Sequence, residues 1–148
     1  MSKLKLYPFK AEDFSELDVR DRERGMIDRF PQTKEALSLI EEECSALTIK
    51  HGDLVLGVVG YCYPTPWTME LFLLPSRELP KHALAFARLM RYYREEVIDK
   101  YNWHRLQIIS PSDELHKRWV RFLKLDYEGT LKGYGWDKLD YDIWAITR

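Results

Sequence analysis

Over residues 79–101 apolar side chains return at Leu79, Ala83, Phe86, Met90, Tyr93, Val97 and Tyr101, while Arg88, Arg91, Glu95 and Asp99 fall between them. A three-to-four-residue repeat sustained for this length predicts one long helix with a single apolar stripe, and that stripe has to be buried on another element. The flanking sequence supplies strands for it to cover. Residues 46–50 and 54–63 are β-rich runs joined by the turn-forming triplet His51-Gly52-Asp53, which predicts a hairpin, and residues 68–74 and 105–110 predict two further strands.

The remaining elements follow from the same patterns. Leu4, Leu6 and Pro8 alternate like a first strand, and residues 11–27, with Phe14, Leu17, Met26 and Ile27 among many charges, predict a weakly amphipathic helix. Thr33 is placed to cap a second helix carrying Ala36, Leu37, Ile40, Cys44 and Leu47, with Glu41 to Glu43 on its wet side. Pro111-Ser112-Asp113-Glu114 opens a later helix with Ser112 as cap, which buries Leu115, Trp119, Phe122 and Leu123; residues 127–134 and 141–147 predict the last two strands. The predicted order is β-α-α-β-β-β-α-β-α-β-β, an α/β (α+β) chain.

Composition narrows the function. The chain has 148 residues, 45% hydrophobic and 14% aromatic, which suits one core and excludes a disordered chain. No repeat, low-complexity tract or linker divides residues 1–148, so they are read as one domain. Lys and Arg number 23 against 24 Asp and Glu, a net charge of −1, which excludes a broad basic footprint for nucleic acid or an anionic membrane. The N-terminus lacks an apolar stretch of signal-peptide length, and the longest apolar run, 54–63, is too short to span a bilayer; a cytoplasmic protein is expected. Cys44 and Cys62, the two cysteines, are accordingly read as buried reduced thiols, a single disulfide being the alternative. His51, His82, His104 and His116 have no metal-ligand spacing, so no metal is expected.

The element order, with a long helix after a central strand and a shorter one between two late strands, resembles the GNAT acyltransferase fold along nearly the whole chain. The stretch from Arg121 to Leu131, Arg-Phe-Leu-Lys-Leu-Asp-Tyr-Glu-Gly-Thr-Leu, resembles that family's late segment, where a helix ends in Tyr-x-x-x-Gly-Phe. A closer likeness is to the small GNAT-like proteins of short-tailed bacteriophages, including the internal virion protein A family, carried by Met90-Arg-Tyr-Tyr-Arg94, Lys100-Tyr101 and Arg121-Phe-Leu-Lys124.

The resemblance implies a single GNAT-like domain, with a mixed, mostly antiparallel twisted sheet flanked by helices, and transfer of an acetyl group from acetyl-CoA to an amine. In the family the fourth strand splays from the fifth, freeing backbone at positions that correspond to Leu73 and Leu74 for the pantetheine arm. The pyrophosphate sits on amides at the start of the long helix, in a loop marked Gln/Arg-x-x-Gly-x-Gly/Ala. Here one register gives Glu78, Lys81 and Ala83, a second gives Arg77, Pro80 and His82, and a third gives Pro80, Ala83 and Ala85; none supplies glycine. All seven glycines lie at 25, 52, 57, 60, 129, 133 and 135, outside residues 61–128. The compensating expectation is a side-chain cradle of Arg77, Lys81 and His82, against the plainer reading of a solvated charged loop.

For chemistry, the resemblance makes Glu70 on the fourth strand the general base, or else an ordinary strand carboxylate. The tyrosine that protonates the departing thiolate aligns with Phe122, which has no proton to give. Tyr127 is the nearest replacement, although it aligns with a core phenylalanine. Asp126 stands where the family has a glycine, a left-handed position. Two functions stand: an amine acetyltransferase with a divergent cofactor loop, acting on a small molecule or protein, or a non-catalytic phage module for virion, assembly or host interaction, located in the infected cytoplasm or the virion. The last strands could also pair across a homodimer.

Overall fold

The computed structural model describes residues 3–30 and 32–148; the side chains of Thr33, Lys34 and Leu37 lie outside that description. Among the described residues seven strands form one sheet: β1 (Lys5–Pro8), β2 (Ser45–His51), β3 (Leu54–Thr65), β4 (Thr68–Pro75), β5 (Arg105–Pro111), β6 (Asp126–Leu131) and β7 (Tyr141–Thr147). Their order is β1-β2-β3-β4-β5-β7-β6; β4 with β5 is a parallel pair, and β1 with β2, β2 with β3, β5 with β7 and β6 with β7 are antiparallel. The helices are α1 (Ala11–Ser15), α2 (Asp21–Arg29), α3 (Gln32–Glu43), α4 (Ala83–Tyr92) and α5 (Glu114–Phe122). Among the described residues no helix is long and apolar enough to cross a membrane.

Contacts divide the chain into two compact units, each discontinuous: residues 1–61 with 73–83, and residues 62–72 with 84–148. In the first, β1 pairs β2, and the hairpin of β2 and β3 turns on Gly52, whose φ of 60° is the left-handed conformation that favours glycine. A bulge follows: Lys50 opposes Val55 but Ile49 opposes Gly57, leaving Leu56 over. Gly57 is required by close approach, since a Cβ there would lie 3.1 Å from the Leu74 carbonyl oxygen. Asp13, buried in α1, accepts from Thr48 Oγ1 at 2.9 Å and from the Lys10 amide at 3.0 Å, which ties the start of α1 to β2.

The helix expected over 11–27 is broken. Residues 16–20 leave α1, and Val19 forms an antiparallel bridge with Ser76, while the Arg77 amide donates to the Asp18 carbonyl at 2.9 Å. Leu17 and Val19 thereby join Ile27 and Val55 in a buried cluster flanked by Phe14 and Leu74. Burial of those two side chains in an extended segment outweighs the helical spacing. Thr33 lies inside α3, second after Gln32, rather than ahead of it.

In the second unit the long helix forms as expected but is not uniform. A 3-10 turn (Leu79–His82), which belongs to the first unit, leads into α4; a π turn (Tyr93–Val97) and a final 3-10 turn (Ile98–Lys100) follow it. Phe86, Met90, Tyr93 and Ile98 are buried along it, and Trp119 of α5 donates its indole N–H to Met90 Sδ at 2.9 Å. The cap of α5 is Asp113, not Ser112: the Asp113 carboxylate accepts from the His116 amide at 2.9 Å, and the Ser112 hydroxyl is buried without a partner. The left-handed residue after α5 is Lys124, with φ of 56°, while Asp126 opens β6.

The reading of two reduced thiols is also corrected: Cys44 and Cys62 are disulfide-bonded. The bulge explains it. A regular ladder continued from His51↔Leu54 would set Cys44 opposite Tyr61, whereas the one-residue shift sets Ser45 opposite Tyr61 and leads both strands onto their cysteines together.

Candidate functional site

The pairing of β4 with β5 runs from Thr68↔Arg105 to Leu71↔Ile108, and β4 then continues to Pro75 beyond its last β5 partner. Side chains along β4 alternate, with Met69, Leu71 and Leu73 buried on one face and Glu70, Phe72 and Leu74 half-buried on the other. The Ser76 amide donates to the Leu56 carbonyl of β3 at 2.9 Å, while the Arg77 amide points the opposite way, to Asp18. By the two-residue period of a strand counted back from Ser76, the amide and carbonyl of Leu73 point away from β3. Leu74 faces β3 with its backbone, and its side chain packs on the Leu17, Val19, Ile27 and Val55 cluster.

The loop after β4 is bound to its own unit. The amides of Ser76, Arg77, Glu78, Leu79 and Lys81 donate respectively to the Leu56 carbonyl, the Asp18 carbonyl, Ser76 Oγ, the Ser76 carbonyl and the Glu78 carbonyl, at 2.9–3.2 Å. Pro80 has no amide hydrogen to offer. The side chains are committed as well. Arg77 lies 3.3 Å from Asp18 and 3.2 Å from Asp21, and donates to the Val19 carbonyl at 3.0 Å. Lys81 pairs with Glu78 at 2.8 Å, and the hydrogen bond and charge of Lys81 hold the Glu78 carboxyl below the usual carboxylate value. The His82 ring sits against His51 with centroids 4.9 Å apart. Ala83 is exposed at the start of α4. The two loop cations therefore face three carboxylates, Glu78 on the loop with Asp18 and Asp21 beside it, and the loop amides from Ser76 to Lys81 are spent.

That arrangement decides which part of an acyl-CoA the residues fit. The Leu73 edge fits a thioester arm, whose amides pair with a strand edge. The β4–α4 loop does not fit a pyrophosphate, which needs open amides and uncompensated positive charge.

Glu70 lies in the other unit, on β4, where Oε1 accepts from Gln107 Nε2 at 2.7 Å. Gln107 in turn accepts from Arg105 Nε at 2.7 Å, and Arg105 forms a two-pronged pair with Glu128 at 2.6 and 3.1 Å. These bonds lower the Glu128 carboxyl and raise the Arg105 guanidinium from their ordinary values. Tyr127 is not brought to Glu70. It sits on edge strand β6, exposed, bonded to Thr130 and edge-on to Trp144. Along the register it is level with Trp144, Ile108 and Leu71, three strand spacings or roughly 14 Å from β4. Among the described residues no group of His, Cys, Asp and Glu is placed to hold a metal.

Sequence reasoning missed a pocket of about 430 Å³ in the first unit, lined by Phe14, Leu17, Arg24 and Ile27 with Ser15 and Ser38. Its only sequence trace is the apolar set in residues 11–27, which the broken helix redistributes around it.

Solved structures share this architecture. The chain matches an N-acetyltransferase from Staphylococcus aureus Mu50 with a TM-score of 0.72 at 17% identity, covering 99% of each chain. It matches a GNAT-family acetyltransferase from Bacillus anthracis with a TM-score of 0.63 at 13% identity, over 99% of this chain and 96% of that one. For Mycobacterium smegmatis RimJ, solved in complex with a CoA disulfide, the values are 0.61 and 15%, over 97% and 81%. No family model and no curated protein sequence matches the chain. At these identities the likeness speaks for architecture alone: the chain has the fold of the GNAT N-acetyltransferases, a mixed, mostly antiparallel sheet flanked by helices.

Proposed function

We propose that the chain transfers an acyl group from a thioester to an amine. The pairing of β4 carries the reading: its partners on β5 end at Leu71 while the strand runs on to Pro75, and strand alternation counted from Ser76 turns the Leu73 backbone groups away from β3, as an acyl-thioester arm requires. A bound donor supplies an acyl carbon activated by sulfur, so that the amine nitrogen forms the new C–N bond as the C–S bond breaks and the sulfur leaves as thiolate or thiol. Glu70 is the chain's candidate to accept the proton released by the amine, with Gln107 fixing one oxygen and leaving the other for the acceptor.

The test is transfer from acetyl-CoA and acetyl-pantetheine to a panel of amines, read by mass spectrometry. Acetylated product that falls about 100-fold in rate in Glu70→Gln supports the reading; no product with either donor overturns it.

A second reading, the non-catalytic GNAT-fold module of a virion or host-interaction protein, is favoured by the spent loop amides and by Phe122, which has no hydroxyl at the family's acid position. Particle fractionation or a pull-down that recovers a stable phage or host partner supports it, and recovery of none counts against it.

A further inference from the structure

We propose that the loop joining β4 to α4 is closed to nucleotide phosphates, so that the donor is a thioester recognised through its pantetheine arm and acyl group alone. This rests on the acyl-transfer reading and names its donor class.

Three independent features close the loop. Its amides from Ser76 to Lys81 all donate inside the chain, apart from Pro80, which has none. Arg77 and Lys81 are each paired with carboxylates, and Asp18, Asp21 and Glu78 outnumber them, so neither cation is left uncompensated for a phosphate. Leu79, one residue into the turn, is wholly buried and pins the loop to the core. Opening it for an anion would strip the Val19–Ser76 bridge, release Arg77 from Val19 and expose Leu79 together. Leu73 itself takes part in none of these contacts, which separates the two ends of a CoA molecule: the arm has a strand edge, and the nucleotide has no open amide from Ser76 to Lys81.

An anion held by two or three charge-assisted bonds gains on the order of 100-fold in affinity. The proposal removes that gain. Calorimetry on the full chain with acetyl-CoA, acetyl-pantetheine and adenosine 3′,5′-bisphosphate reads it directly. The expected result is that both thioesters bind within about threefold of one another and the bisphosphate does not bind. Acetyl-CoA binding about tenfold or more tighter than acetyl-pantetheine, or bisphosphate competing with acetyl-CoA, overturns the proposal while leaving acyl transfer standing. No binding by any of the three overturns the acyl-transfer reading and the donor class with it. Hydrogen exchange gives a separate readout of the loop: the Arg77 and Lys81 amides are protected and stay so when acetyl-CoA is added, and deprotection on addition counts against closure.

Discussion

The guanidinium of Arg77 donates to the main-chain carbonyl of Val19 at 3.0 Å, reaching it past Asp18 and Asp21. This side chain is a strut between the end of β4 and the extended segment after α1. Both carboxylates are largely exposed, so their pairing contributes little in water, and the bond to the carbonyl is the larger share.

Replacing Arg77 by Ala should therefore lower unfolding stability by about 1–2 kcal/mol, mostly through the unpaired Val19 carbonyl. Asp21→Ala, which touches only the exposed pair, should cost no more than about 0.5 kcal/mol. Urea titration separates the two; equal losses would show that charge pairing, not the carbonyl bond, holds the segment.

Acid should weaken the sheet at Arg105 and Glu128. The guanidinium hydrogen bonds lower the Glu128 carboxyl from its ordinary value of 4.5. A depressed carboxylate stabilises the fold above its unfolded value and loses that contribution as pH falls through the folded one. Stability should thus decline below about pH 4.5, and Glu128→Gln should flatten part of that decline. Parallel acid profiles for the two proteins would place the acid-sensitive group elsewhere, Glu78 with Lys81 being the other pair of the same sign.

The disulfide joins chain positions separated only by the hairpin of β2 and β3. Closing a loop of this length contributes about 3 kcal/mol by restricting the unfolded chain. Cys44→Ser with Cys62→Ser, or reduction of the wild type, should lower the denaturation midpoint accordingly, and the intact mass before reduction should be lighter by two hydrogens. Two thiols that alkylate in the folded, unreduced protein would overturn the bond.

The contrast between what the residues announced and what they hid has a physical basis. The β-branched and aromatic residues of 141–147 and the turn triplet at His51 to Asp53 are local signals, and both elements form where those signals lie. The helical stripe from Leu79 is local too. The break at residues 16–20 depends on Ser76 and Arg77, distant in sequence, and its one local sign was the apolar-charged alternation of Leu17, Asp18, Val19 and Arg20. The cysteine pairing depended on a single bulge at Leu56, which no composition records. At the site, the missing glycines were plain, but a missing glycine says only that close approach is obstructed. Where the amides donate instead is a tertiary fact, and so is the separation of Tyr127 from Glu70 by strand order.

Leu79 offers the sharpest test of how firmly the loop is held. It is completely buried and directly follows Glu78, whose carbonyl receives the Lys81 amide and whose own amide is bonded to Ser76 Oγ. Leu79→Ala leaves the backbone pattern intact in principle but removes the apolar anchor, at a cost of about 2–5 kcal/mol for a core leucine. If the anchor keeps the amides turned inward, the variant should lose protection first at Arg77, Leu79 and Lys81, before β5 or β7 is affected. Lys81→Gly, which puts glycine at the motif position of the first register but leaves Leu79 in place, should cost only about 1 kcal/mol and keep those amides protected. Loss of protection in Lys81→Gly with none in Leu79→Ala would show that side-chain pairing to Glu78, rather than burial of Leu79, shuts the loop.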